Sequence, residues 1–465
     1  MPILAAYAVP HPPLIIPAVG RGKERGIQAT IDAYDEVGRR VAALAPDTVV
    51  VSSPHATMYR DYFQISPGKS ARGSFVQFGV PRAAYQAQYD TALVAELCHV
   101  CEREGIEAGT DYERDPRLDH GTMIPIHFIE KYYTGFKLVR IGLSGFSPAE
   151  HYRLGKAVQE AARTLGRRVV YIASGDLSHK LTHDGPYGFA PEGPVFDERI
   201  AQDFAAGDLL DILCMDFSLA ERAAECGLRS FQMMAGVLDR TPVHAELLSH
   251  EGPFGVGYGV AAFTPTGEEG SDESRNLLVQ YEAWRTSDLA ARKAAEDPYV
   301  QLARASLEAY VRDGRRIAPP DDVPQELLTT RAGCFVSLKV DGQLRGCIGT
   351  IEPTQTNLAR EICANAISAG TRDPRFSAVQ RDELDDLVYD VDVLTAPEPT
   401  TLEGLDPSRY GVIVSCADGR RGLLLPDLDG VDTVDEQVRI AAQKGRINPD
   451  FDDYRLQRFE VVRHL

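Results

Sequence analysis

The sequence predicts an α/β protein with a central sheet, followed by a smaller α+β domain. Short apolar runs at Ile3–Val9, Thr48–Ser52, Leu138–Ser144 and Val169–Ala173 read as buried strands, and amphipathic helical patterns alternate with the first of them. A polar stretch, Thr266–Ser274, then interrupts the chain with no apolar residue and reads as a linker. Beyond it, two Asp-Gly pairs flanked by strand-like runs mark β-hairpins, and helices surround them.

In the first region, Gly26–Leu44 carries Ile27, Ile31, Tyr34, Val37, Val41 and Leu44 at helical spacing and joins two strands as a βαβ unit. Residues 59–83 mix Gly, Lys and Ser with short apolar groups, a long loop with short strands. A helix is predicted over 88–104. Ser147 as N-cap, Pro148 at the first helical position and Glu150 closing a capping box start another helix, lined by Leu154, Val158, Ala162 and Leu165. Helical patterns follow at 195–206 and 216–239, and Gly255–Phe263 reads as a strand whose glycines permit close packing.

In the second region, Asp297 caps a helix that begins at Pro298 and stops at Gly314. The hairpins turn on Asp341-Gly342 and Asp418-Gly419. Val388–Val393 alternates strictly, a half-exposed strand, and helices are expected at 355–369 and 433–443. The predicted division is therefore residues 1–264, a linker and connecting helix over 265–297, and residues 298–465.

Composition narrows the function. The chain has 465 residues, 44% hydrophobic and 25% charged, with a net charge of −19. That balance disfavours anionic partners, so neither nucleic acid nor an acidic membrane surface is expected. No window offers eighteen apolar residues and the first residues lack a basic, then long apolar, pattern, so a cytoplasmic protein is expected. Eight scattered cysteines do not form a disulfide scaffold. Cys98 and Cys101 have metal-like spacing but sit on the apolar face of a predicted helix, where packed thiols are expected.

Chemistry concentrates where strands end. Ile3–Val9 runs into Pro10-His11-Pro12-Pro13, and two prolines fix the chain as it leaves the sheet. Thr48–Ser52 runs into Ser53-Pro54-His55, and Val169–Ala173 into Ser174-Gly175-Asp176-Leu177-Ser178-His179. The carboxyl ends of parallel strands are where open α/β sheets place ligands. Three histidines in that position are read as converging on a metal. His11 and His55 are the nitrogen candidates, and two imidazoles with one carboxylate leave open positions on a metal such as Fe(II). Glu225, at the break in a helical pattern before Gly227, is the carboxylate candidate. A solvated helix-end glutamate is the alternative reading of that residue.

These residues resemble a known family. His11 before Pro-Pro-Leu, Pro54-His55, Asp119-His120-Gly121 and Ser174–His179 are similar to motifs of the LigB-type class III extradiol ring-cleavage dioxygenases and of their relatives, the MEMO proteins. The resemblance covers residues 1–264 and implies a three-layer domain with a central mixed sheet. It implies His11 and His55 as metal ligands, His179 as acid/base and His120 as a substrate contact. It places the third ligand at Glu225, although MEMO relatives carry a Cys-Gly there, which here is Cys226-Gly227. Glu225 implies Fe(II) and dioxygen acting on a catechol or related phenol, and Cys226 implies a softer metal or a binding role; Fe(II) is the expected ion, with Zn, Cu or Mn as alternatives. The sequence reading leans to Glu225. An imidazole with a pKa near 6.5 suits His179 to proton transfer with such a substrate.

Leu344-Arg345-Gly346-Cys347-Ile348-Gly349, with Asp373-Pro374-Arg375-Phe376, is similar to the AMMECR domain over about 298–465. Cys347 is read as a packed thiol rather than a nucleophile, and Arg345 as a solvated strand residue rather than an anion site. Such domains accompany MEMO-like and radical-SAM proteins in the AmmeMemoRadiSam system. The partners expected are thus a small aromatic substrate, dioxygen and a radical-SAM protein, and self-association into a homo-oligomer is expected as well. The alternative function is a MEMO-like metal-binding or scaffold protein.

Overall fold

Strands that are apolar on both faces must be covered on both faces, and the first half of the chain is built to do this. The computed structural model describes residues 2–320, 322–428, 430–431 and 433–465. The chain divides into two units, Met1–Arg285 and Thr286–Leu465. The division falls inside the helix Leu277–Ala295, whose Leu277 and Tyr281 are buried in the core of the first unit.

The first unit is organised on six strands: β1 (Ile3–Val9), β2 (Thr48–Ser53), β3 (Lys137–Gly142), β4 (Val169–Ser174), β5 (Val243–Glu251) and β6 (Tyr258–Pro265). They pair in the order β3-β2-β4-β1-β6-β5. The first four are mutually parallel, and β6 runs antiparallel to β1 and to β5, so the sheet is mixed as expected. Side chains alternate between two cores. Ala5, Tyr7, Val9, Val49, Val51, Val170 and Ile172 meet the helices Gln28–Leu44 and His120–Glu130 on one face. Ala6, Ala8, Val50, Val139, Tyr171 and Ala173 meet Thr91–Glu104, Pro148–Leu165, Glu192–Ala206 and Leu228–Val237 on the other. This is a three-layer α/β/α unit. No helix among the described residues is long and apolar enough to cross a membrane.

Several elements differ from expectation, among them the helix Leu209–Leu213 and the strands Glu398–Thr400, Tyr454–Phe459 and Val461–His464, which the sequence reading lacks. β5 is absent from the sequence reading because it is an edge strand, with His244 and His250 exposed or half-exposed between apolar neighbours and no continuous apolar run. The helix His120–Glu130 is likewise unexpected, having Pro125 inside it and six consecutive buried residues, Gly121 to Ile126, with no exposed polar face among them. The predicted helix over 216–239 is two helices, Phe217–Ala223 and Leu228–Val237, separated by Ala224 in the left-handed region with φ 53°.

The second unit carries two four-stranded sheets. In one, Gln343–Gly349, Cys334–Val340, Val388–Leu394 and Val461–His464 lie side by side, against the helices Pro298–Asp313 and Leu358–Thr371. In the other, Glu398–Thr400, Tyr454–Phe459, Gly411–Cys416 and Arg421–Leu424 pair under the helix Val434–Lys444. Asp341 and Gly342 both adopt positive φ, 48° and 77°, the backbone a two-residue hairpin turn requires. Val388–Leu394 is more buried than its alternation suggests, because it is an interior strand. Its Asp390 and Asp392 are paired with Lys339 at 2.6 Å and Arg463 at 2.9 Å.

Candidate metal centre

Because β1, β2 and β4 are adjacent and parallel, the segments following them leave the sheet at one edge. His11 is fixed there by its own backbone: its N–H donates to Asp176 Oδ1 at 2.6 Å, and Tyr34 Oη donates to the preceding Pro10 carbonyl. The ring is held by Ser174, the last residue of β4, with Oγ 3.0 Å from His11 Nδ1. Ser174 Oγ also stands 2.6 Å from the Gly121 carbonyl, which can only accept. The hydroxyl hydrogen is committed to that carbonyl, so His11 Nδ1 must carry a proton and donate it to the serine. The Nε2 lone pair is left free. Orienting a metal-binding imidazole through its other nitrogen is how proteins fix the tautomer of a ligand.

His55 is supported in the same way. Its backbone N–H donates to Ser53 Oγ at 3.2 Å, and Ser53 Oγ donates to Asp119 Oδ1 at 2.6 Å. Asp119 caps the helix His120–Glu130 through the Thr122 N–H and hydroxyl, and the buried Arg140 guanidinium lies 3.6 Å from it. Arg140 itself is satisfied by Ser66 Oγ and the carbonyls of Arg117 and Asp115. His55 Nε2 comes to 3.0 Å from His11 Nε2. His120, first residue of the helix, tilts against the His55 ring with centroids 3.9 Å apart, and Phe78 packs on its edge at 5.3 Å.

The third donor in this group is Cys226. Its Sγ lies 3.5 Å from His11 Nε2 and accepts the Asp176 N–H at 3.2 Å. The donor atoms of His11, His55 and Cys226 all lie within 4.8 Å of one another. Glu225, to which the sequence reading leans, is turned away: its Oε2 accepts the Leu228 N–H at 2.6 Å and closes the first turn of the helix Leu228–Val237. It does not join the donor group. The approach of Cys226 depends on two glycines in contact. A Cβ built on Gly175 would stand 2.0 Å from Gly227 Cα, so the chain after β4 and the start of that helix touch backbone to backbone.

His179 stands next to this group, with Nε2 3.9 Å from Asp176 Oδ2 and its ring stacked on Tyr187 at 5.0 Å. Asp176, His179 and Cys226 form a second set of donors within the same 4.8 Å limit. The loop is pinned from behind by the buried Asp197, which accepts the Ser178 N–H at 2.6 Å and faces His250 Nε2 at 3.3 Å. Asp176 therefore anchors His11 through Oδ1 and turns Oδ2 toward His179, whereas Ser178 Oγ donates to the Ala223 carbonyl and shapes the loop.

Electrostatics match a cation site. Burial, then the neighbouring imidazoles, pushes His11 well below the usual histidine range, and burial lowers His55. His120 is pushed down to about 4 by burial and His55, and His179 to about 4 by burial and His55. Burial raises Cys226, Glu225 and Asp176, the last to about 7. Neutral imidazoles with free lone pairs are the form that binds a metal, and a bound cation reverses the cost of ionising the thiol. Two imidazole nitrogens and a sulfur fit Fe(II), Cu or Zn more closely than Mg or Ca, which prefer oxygen.

A family model described as the catalytic LigB subunit of aromatic ring-opening dioxygenase matches residues 5–261, more than half of the chain. The chain belongs to the LigB family. An AMMECR1 family model matches residues 300–464, so this LigB-family chain carries an AMMECR1 domain as its second part. The same pairing extends over a relative from Clostridium acetobutylicum, Protein CA_C1420, 41% identical over 466 residues and covering 98% of both chains. A Thermotoga maritima protein is 56% identical over 171 residues, 36% of this chain and 98% of its own. Among solved structures, the uncharacterized protein PH0010 of Pyrococcus horikoshii shares 32% identity over 36% of this chain and 88% of its own, with a TM-score of 0.33.

In the AMMECR1 domain, Cys347 lies on a hairpin strand, its N–H donated to Asp373 Oδ2 at 2.9 Å and its sulfur 3.2 Å from Ser337 Oγ. Burial pushes its thiol up, as a packed cysteine requires. Arg345 is not a solvated residue: it forms a two-pronged pair with Glu383 at 2.7 and 2.9 Å and reaches the Ser377 carbonyl. The sequence reading contains Ser53, Asp119 and Ser174 only as members of motifs; it lacks Arg140 and the supporting role of all four. The visible signal of that role was the serine that ends both β2 and β4, one or two residues before a site loop.

Proposed function

We propose that the LigB-family unit binds a metal ion through His11 Nε2, His55 Nε2 and Cys226 Sγ, and that this MEMO-like set, rather than one containing Glu225, is its working centre. The observation that carries the reading is the Ser174 hydroxyl set between His11 Nδ1 and the Gly121 carbonyl, an arrangement that leaves the His11 Nε2 lone pair for the other two donors. A ligand set with a thiolate favours Fe(II), Cu or Zn. Metal analysis of anaerobically handled full-length protein tests it. Cys226→Ser is expected to lose the metal and Glu225→Gln to keep it; the reverse pattern sinks the assignment.

A second reading, ring-opening of a catechol-like phenol with dioxygen, is favoured by His120 and His179, uncharged imidazoles beside the same centre. The metal would supply the Lewis acidity that makes a phenol easier to deprotonate. His179, with a free nitrogen and a position outside the first donor group, would take that proton, and His120 would contact the ring. Oxygen uptake with catechols, lost in His179→Ala while the ion on His11, His55 and Cys226 stays, tests this reading. A radical-SAM partner and a homo-oligomer belong with the MEMO-like reading and are tested by co-purification and by mass measurement in solution.

A further inference from the structure

Asp176 is the unusual group at this edge of the sheet. It is a buried carboxylate, and among the described residues no Lys or Arg lies within ion-pair distance of it. One oxygen accepts the His11 N–H; the other has only His179 Nε2, 3.9 Å away. That separation is too long for a hydrogen bond. It is close to the roughly 3.3–3.8 Å that separates two donors on one tetrahedral ion with bonds of about 2.0–2.3 Å. The third donor in reach is the sulfur of Cys226, which the Asp176 N–H and His11 Nε2 already border. The two donor sets overlap only at Cys226.

We propose that the centre accepts a second cation, held by Asp176, His179 and Cys226, with the Cys226 sulfur bridging the two ions. The proposal rests on the assignment of His11, His55 and Cys226 as ligands of the first. A thiolate has lone pairs enough for two soft or borderline cations, and the single thiol proton released on binding serves both sites. The second ion also supplies the positive charge that the buried carboxylate lacks. Occupancy of the second site takes the His179 lone pair, so any proton transfer by His179 belongs to the one-ion form.

The test is metal stoichiometry. Full-length protein is loaded anaerobically with Co(II), freed of excess by gel filtration, and assayed for cobalt per chain and for the sulfur-to-cobalt charge-transfer absorption. The wild type is expected to hold two equivalents. His179→Ala and Asp176→Asn are expected to hold one and keep the absorption, whereas Cys226→Ser loses both metal and absorption. His179 is partly exposed, so its variant remains informative where the buried Asp176 variant fails to fold. One equivalent in wild type and unchanged in His179→Ala overturns the second site and leaves the first standing. Two equivalents retained by Cys226→Ser overturn the bridge. No cobalt in the wild type overturns the first assignment together with this one.

Discussion

Replacing Ser174 by alanine removes the acceptor for His11 Nδ1–H while leaving every expected ligand in place. The imidazole is then free to carry its proton on Nε2, where it blocks a cation. Loss of such an orienting partner typically weakens metal binding by about 10–100-fold. Competition titration with a chelator is expected to show a weakening of that size for Ser174→Ala. Equal affinity in variant and wild type contradicts the tautomer argument. The Glu225→Gln variant belongs to the same scale but reads out differently. It removes the charge of a group that closes a helix turn, an effect of about 1 kcal/mol on stability, with metal retained. Sequence alone does not separate Glu225 from Cys226, since they are neighbours and both can bind metal. The left-handed turn at Ala224 decides which one faces the sheet edge.

At the scale of elements, the strands and most helices were legible because their apolar faces are continuous. Ser147 and Asp297, the caps read from the sequence, each accept an N–H from the first turn of the helix that follows; Asp90 and Thr433 do the same, and Asp90 sets the start of its helix at Thr91, after the expected residue 88. What was hidden depends on neighbours distant in the chain. β5 is half polar because it pairs along one edge, and the helix at His120 is mostly apolar and buried because it is sandwiched between elements. The placement of His11 and His55 at one edge was readable from two strand ends; the contact that delivers Cys226 was not, since it needs Gly175 against Gly227. Gly175→Ala puts a Cβ into that contact. It is expected to destabilise the protein by about 1–3 kcal/mol in denaturant unfolding, and to lower metal content as Cys226 is displaced. Full metal content in a folded Gly175→Ala protein contradicts the role given to the glycine pair.

At the scale of the whole molecule, ten of the eleven histidines belong to Met1–Arg285, and His464 alone to the second unit. His151 is fully buried and pushed down to about 3, chiefly by burial. The unfolded chain binds a proton at this group below about pH 6.5 and the folded chain does not until far lower. Stability is therefore present above the unfolded value and falls as pH drops through the interval between them. The slope from this one ring is up to about 1.4 kcal/mol per pH unit. Hydrogen exchange on the intact chain is expected to show protection in 1–285 falling between pH 7 and 5 more than protection in 286–465. His151→Gln is expected to flatten the dependence, and identical behaviour of the two units at all pH values contradicts it.

The parallel register of β1 on β4 places Val9 opposite Ser174. A strand displaced by a single position presents its side chains to the opposite layer, which would carry the hydroxyl away from the imidazole. Where one hydrogen atom resides is thus written into the alignment of two backbones more than 160 residues apart. Assembly of the sheet and readiness to receive an ion are consequently a single event, and a chain mispaired here would be inert before any ligand was lost.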